Sequence, residues 1–477
     1  HKFLYPGMLI YEYPKRYYPA GEAVAHVIGY VAEISEQELK LPEFEGYRQG
    51  RWIGKTGLER SYETTLGGEP GMRYLEVDAV GRILSWLPEE AGVPPVPGHD
   101  LRLHLDLDLQ RYVAYLMRDL AATEGIRDLR ASFVAIEPAT GGVLALYATP
   151  GYDPNQFTGG IDPEIWKRLN DNPANPLLNR AAGSAQPPGS TFKLATAAMA
   201  MKLGKLKPTD RMPIACGGGI RYGGRFARCW SSGHGSLDLI GAIKNSCNVY
   251  FYQLGIRIGL EKFLEEGARL GFGAPTGIDL PNELTSTYPL SFEWWEDYFG
   301  YRPYENEVMS LSIGQGAVNT TPLKLAQLYV ALARRDGKAP APRLVQSDTA
   351  PPISLDLGLT EDQILALRKG FRRVVAPGGT AALSRLPGWD FMGKTGTAQN
   401  PHGDDHAWFV GLAGPFGKEP EIVAVMLLEH GLHGYTASGL VANAINFYLD
   451  RKHGRPFVRY PTPRERLPRG LDVDWAW

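Results

Sequence analysis

"AQPPGSTFKLATAAMA", residues 185–200, sets a serine and a lysine three apart just after Pro-Pro-Gly, where an apolar helix begins. Gly189 permits a sharp turn and Gly204 a C-terminal stop, so a helix is predicted from Ser190 to Gly204. Residues three apart share a helix face, which puts Lys193 beside the Ser190 hydroxyl. Two readings follow. In one, Ser190 caps the helix and Lys193 is solvated. In the other, Ser190 is a nucleophile and Lys193 its base, with the lysine pKa lowered by burial or a neighbouring cation. The choice rests on the rest of the chain.

The 477 residues allow two or three domains with sizeable cores. Hydrophobic residues make up 44% and charged ones 21%, as in ordinary globular proteins. A formal net charge of −2 offers no basic excess for nucleic acid, so none is expected as a partner. No apolar run reaches membrane-spanning length. The opening "HKFLYPGMLIYEYPKRYYPAGE" starts mid-pattern and without a signal peptide, so an N-terminal membrane anchor ahead of it is expected.

Residues 1–130 read as a mixed first domain broken by Gly and Pro, with short β-like runs such as "RYLEVDAVGRILSWL". In "DLRLHLDLDLQRYVAYLMRDLAATEG" the alternating first part suggests a strand and the part from Leu109 a helix. A second domain, 131–452, opens with "ASFVAIEPATGGVLALYATP", two apolar runs around a turn. Helical patterns dominate to about 375. Strand patterns return at "GWDFMGKTGTAQ", "HAWFVGLA" and "EIVAVMLLEH", and the helix "TASGLVANAINFYLDRK" closes the domain. The early hairpin and three late strands together predict a five-stranded antiparallel sheet with helices on both sides and a helical insert, an α+β fold. Residues 453–477, rich in Pro and Arg, read as a loosely ordered extension.

Two further motifs follow Ser190-Thr-Phe-Lys193 in order: Ser246-Cys-Asn248 and Lys394-Thr395-Gly396. The second lies between two apolar helical stretches, so it is a short bend. There Ser246 and Asn248 can face one cleft while Cys247 faces away. Ser246 would relay a proton to a leaving amine, and Asn248 would hold Lys193 and a substrate amide. The third reads as an edge strand able to pair with an extended peptide. Lys394 would attract a carboxylate, Thr395 and Thr397 would donate to it, and Gly396 leaves room for the approaching backbone. Alone, each motif could be a cap, a polar turn or an ordinary strand. Together and in order they are the signature of serine β-lactamases and penicillin-binding proteins.

The chain resembles a class B penicillin-binding protein, a monofunctional D,D-transpeptidase, and most of all its elongation-type members. "RYYPAGEAVAHVIGYV" and "IGKTGLERSYETTLGGEPG" are similar to that family's N-terminal pedestal, "SIGQGAVNTTPLKLAQLYVALA" to the helix after its catalytic insert, and "CWSSGHGSLDL" to the elongation type. The resemblance implies a penicillin-binding fold with a pedestal, at the outer face of the cytoplasmic membrane in the cell envelope. Its substrate would be the D-Ala-D-Ala end of a stem peptide, with β-lactams as inhibitors and a SEDS-family membrane glycosyltransferase as partner. It also implies an oxyanion hole from the Ser190 and Thr397 backbone N–H groups. The acyl transfer calls for no cofactor.

A D,D-carboxypeptidase or β-lactamase would share the acyl-serine, and a non-catalytic β-lactam sensor or scaffold is a further alternative. The Glu-x-x-Leu-Asn segment of class A β-lactamases has only Glu283 in "PNELTS" as its nearest match, at the wrong spacing. "PHGDDHAW", with His402, Asp404, Asp405 and His406, reads as a polar hairpin. The chain's three cysteines, Cys216, Cys229 and Cys247, fall within 32 residues together with His234. Cys₃His is a regular structural zinc set, and some elongation-type relatives carry a comparable site. The rival is a Cys216–Cys229 disulfide with Cys247 a buried thiol.

Overall fold

The computed structural model describes residues 15–80, 82–88, 91–400, 403–430 and 434–461. The chain divides into two compact units. One takes the residues up to 100 together with 151–177, and the other takes 101–150 and the residues from 178 onward. This differs from a single cut near 130. Tyr152, Phe157 and Leu169 pack around Ala25, and His26 Nε2 lies 2.9 Å from the Pro176 carbonyl, so 151–177 belongs with the first unit. In that unit the run read as β-like forms the antiparallel pair Leu75–Val77 and Ile83–Trp86.

The larger unit is built on five strands: β1 (Ala131–Ile136), β2 (Val143–Thr149), β3 (Asp390–Ala398), β4 (His406–Gly414) and β5 (Ile422–Leu428). Their order in the sheet is β3-β4-β5-β1-β2, with every pair antiparallel. Every residue of β1 and of β5 is buried, which is why these inner strands read as apolar runs, Ser132 being the one polar exception.

Helices that bear on the site are α1 (Leu107–Glu124), α2 (Lys193–Lys202), α3 (Leu239–Lys244), α4 (Asn248–Ile258), α5 (Pro322–Ala333) and α6 (Gly434–Lys452). Asp106 caps α1 by accepting from Leu109 N at 2.9 Å, and Gly125 ends it at φ +66. That cap replaces the strand expected before Leu109: only Leu103 makes a bridge, to Val345. The amide of Gln110 on α1 then closes the far edge of the sheet. It donates to Leu146 O at 2.7 Å and accepts from Leu146 N at 2.9 Å, as a neighbouring strand would. The edge that remains is β3.

The predicted 401–408 hairpin links β3 to β4; His402 lies outside the described residues, and His406 is buried at the start of β4. The tail is pinned where it is described. Asn443 on α6 exchanges hydrogen bonds with the Tyr460 backbone at 3.0 and 2.9 Å, and Asn446 donates to Val458 O at 3.0 Å. Residues 462–477 lie outside the described residues. Among the described residues no helix is long and apolar enough to cross a membrane.

Candidate active site

Ser190 does not start the α-helix. It sits in a 3₁₀ turn, Gly189–Phe192, and α2 begins at Lys193. Neither element receives a side-chain cap, so the Ser190 hydroxyl is not used for capping. The turn is clamped against the edge of the sheet. Gly189 takes φ +53, and a Cβ there would meet Thr397 O at 2.5 Å. Trp408 on β4 donates from its indole to Pro187 O at 2.8 Å, Thr191 Oγ1 to Pro188 O at 2.7 Å, and Tyr329 on α5 to Thr191 O at 2.8 Å. Gly396, paired with Trp408 in the ladder, is the contact point: its Cβ would lie 2.9 Å from Pro188 O and 3.0 Å from Thr191 Cγ2.

One helical turn on, Lys193 is 1% exposed. Its ammonium donates to Ser246 O at 2.7 Å, Asn248 Oδ1 at 2.8 Å and Ser246 Oγ at 3.2 Å. Burial pulls its pKa down to about 7, with the Cys229 and Cys247 sulfurs acting the other way. Lys394 arrives from β3 wholly buried and donates to Ser246 Oγ at 2.9 Å and to Thr395 O at 2.9 Å. Burial, and then the charge of Lys193, hold its pKa well below the ordinary lysine range. Besides the carboxylate it is expected to attract, its ammonium faces Ser246. Thr395, whose hydroxyl is 3.1 Å from that of Thr380, is half-buried, and Thr397 is exposed.

Ser246 lies between α3 and α4 at φ +50, a left-handed conformation that costs a non-glycine residue about 1–2 kcal/mol. This bend turns Ser246 and Asn248 toward Lys193 and sends Cys247 to the opposite side. There Cys216, Cys229, His234 and Cys247 bring one ligand atom each to within 4.8 Å of one another. His234 Nδ1 is 3.5 Å from the sulfurs of both Cys216 and Cys229. All three cysteines are free, so the Cys216–Cys229 disulfide is not formed. The hydrogen bond from Cys247 holds the Cys229 thiol well below the ordinary thiol range. Three sulfurs and an imidazole converging in this way suit a tetrahedral zinc ion.

The sequence reading missed Trp230, whose indole touches the bend; its only signal was adjacency to Cys229. Glu283, weighed as a deacylation base, is committed to a turn, where its carboxylate accepts from Thr276 N at 2.7 Å and Gly277 N at 3.2 Å.

The family described as "Penicillin binding protein transpeptidase domain" matches residues 131–446, and "Penicillin-binding Protein dimerisation domain" matches residues 1–103. The peptidoglycan D,D-transpeptidase MrdA of Acinetobacter baumannii is 33% identical over 95% of this chain and 69% of its own length. Its Escherichia coli counterpart is 32% identical over 94% and 73%. Among solved structures, a complex between PBP2 and MreC from Helicobacter pylori matches with TM-score 0.80 at 31% identity, covering 92% of this chain and 79% of that one. Pseudomonas aeruginosa PBP2 in complex with WCK 5153 matches with TM-score 0.76 at 31% identity, covering 95% and 96%. Matches over nearly the whole chain, and not three tripeptides alone, are why this chain belongs to the penicillin-binding protein transpeptidase family.

Proposed function

We propose that the chain is a peptidoglycan D,D-transpeptidase of wall elongation, working through an acyl-enzyme on Ser190. The observation that carries the reading is the meeting of the Lys193 and Lys394 ammonium groups on one hydroxyl, Ser246 Oγ, beside the Ser190 turn. A lysine with a pKa near neutrality exists partly as the free amine, so Lys193 takes the Ser190 proton as the oxygen attacks the penultimate D-Ala carbonyl. Backbone N–H groups of Ser190 and Thr397 hold the developing oxyanion. Ser246 Oγ accepts from both lysines, so it can pass its own hydrogen to the departing D-Ala nitrogen and take the Ser190 proton back from Lys193. Asn248 keeps Lys193 in place and meets the substrate amide. Thr395 and Thr397 bind the terminal carboxylate, with Lys394 supplying positive charge from beneath. An amine from a neighbouring stem then takes the acyl group. Relatives named peptidoglycan D,D-transpeptidases support the substrate class.

Labelling with a fluorescent penicillin tests this. Wild type is expected to carry a stable label that Ser190→Ala lacks, with the fold unchanged in circular dichroism. A labelled Ser190→Ala protein would overturn the assignment.

We further infer that Cys216, Cys229, His234 and Cys247 hold a structural zinc ion, which neutralises thiolate charge and fixes the Ser246 bend from behind. The smaller unit is read as the pedestal, and its partner as a SEDS-family membrane glycosyltransferase. Relatives solved with MreC and in a peptidoglycan synthase complex support an assembly role of this kind. A site of action at the outer face of the cytoplasmic membrane follows from the substrate.

A further inference from the structure

The reaction described above uses Ser246 but does not explain how a serine is kept at φ +50. The answer lies in its carbonyl. Ser246 O accepts from Lys193 Nζ at 2.7 Å and from the indole Nε1 of Trp230 at 3.1 Å. The same indole donates to Asn245 O at 3.0 Å, so one N–H spans two successive carbonyls of the bend. A carbonyl oxygen has two lone pairs, and here one serves the base lysine and the other the indole. Trp230 is itself held in place. It follows Cys229 directly in the chain, and its ring lies against that of His234 with centroids 5.0 Å apart. The loop that carries two members of the thiol–imidazole cluster therefore also carries the hydrogen-bond donor that fixes the catalytic bend.

We propose that Trp230 is a positioning residue for acylation: its indole N–H fixes the Ser246 carbonyl, and through it the placement of Lys193 Nζ and Ser246 Oγ. Without that donor the strained bend can relax toward an ordinary backbone conformation, and both groups move with it. The inference rests on the Ser190 acyl-enzyme reading.

The test uses the whole chain purified without chelator, and a fluorescent penicillin followed by stopped flow, which separates drug binding from the acylation rate constant. Two variants are compared with wild type: Trp230→Phe, and Trp230 replaced by 3-benzothienylalanine, which keeps both rings but has sulfur in place of the N–H. Both are expected to lose about 10- to 100-fold in the acylation rate constant, the scale of a misplacement near 1 Å, with drug binding, melting temperature and bound metal near wild type. A benzothienyl variant that acylates at the wild-type rate would overturn the proposal. So would a rate loss that comes only with a lower melting temperature or lost metal, since Trp230 would then merely support the fold. A wild type that is not acylated overturns the Ser190 reading and this inference with it. A normal wild type beside unaffected variants overturns this inference alone.

Discussion

At the scale of single residues, the site works by taking charge out of water. Lys193 and Lys394 are both almost wholly buried, and each meets the hydroxyl of Ser246. Desolvation penalises the ammonium form, and Lys193 falls to about 7. In the proposed mechanism the neutral amine of Lys193 is the base, and its fraction grows as pH rises through that value. The acylation rate is therefore expected to climb between about pH 6 and 8 and level off above, as measured with a penicillin across a pH series. Lys193→Ala should lose roughly 10²–10⁴-fold in rate together with that limb. Gly396 answers to a different constraint. A Cβ there meets the Pro188 carbonyl at 2.9 Å and Trp408 Cβ at 3.0 Å, and a main-chain oxygen held by its own turn has little room to move. Gly396→Ala should cost about 1–3 kcal/mol in urea denaturation and slow acylation, because the same clash pushes the Ser190 turn off the strand.

At the scale of elements, the bend between α3 and α4 is under control from both sides. Lys193 and Lys394 hold Ser246 on the cleft side, and Cys247 ties the next residue into the cluster with Cys216, Cys229 and His234. Cys229 and His234 follow the small antiparallel hairpin Gly219–Tyr222 and Arg225–Arg228. A zinc ion held by the cluster, as proposed, would order this segment and tie it to the Ser246 bend. Chelation is expected to lower the melting temperature, slow acylation without changing the labelled residue, and expose Cys229 to alkylation. Elemental measurement finding no zinc in protein purified without chelator would remove the basis for this expectation.

At the scale of the whole molecule, the chain leaves its first unit at residue 100, builds α1, β1 and β2, returns for 151–177 and then completes the larger unit. The returning segment contributes core and not only linkage: Phe157 stacks on Tyr30 with centroids 3.8 Å apart and packs with Tyr152 and Ala25. Phe157→Ala should cost the smaller unit about 3–5 kcal/mol, by lost burial and a residual cavity. Calorimetry should show this as a lowered transition, while the rate of penicillin labelling, which reports on the larger unit, stays the same.

The sequence by itself determined the sheet and the motifs. Four mostly apolar runs and the Lys-Thr-Gly edge strand, separated by turns, are enough to predict five strands, because the inner strands are buried and read as apolar whatever their neighbours. The Ser-x-x-Lys, Ser-x-Asn and Lys-Thr-Gly triplets were legible because each residue type is set by chemistry within its own short stretch. Alternation misled over 101–108, where the Asp106 cap turns the chain into α1, and no local signal assigned 151–177 to the first unit. Only the tertiary structure decided that Ser190 lies in a 3₁₀ turn free of capping, that Lys394 points at Ser246, and that Trp230 holds the Ser246 carbonyl. Each of these depends on how segments far apart in the chain pack against one another. Hydrogen bonds between residues far apart in the chain follow from how the elements pack, and periodicity carries no record of that packing.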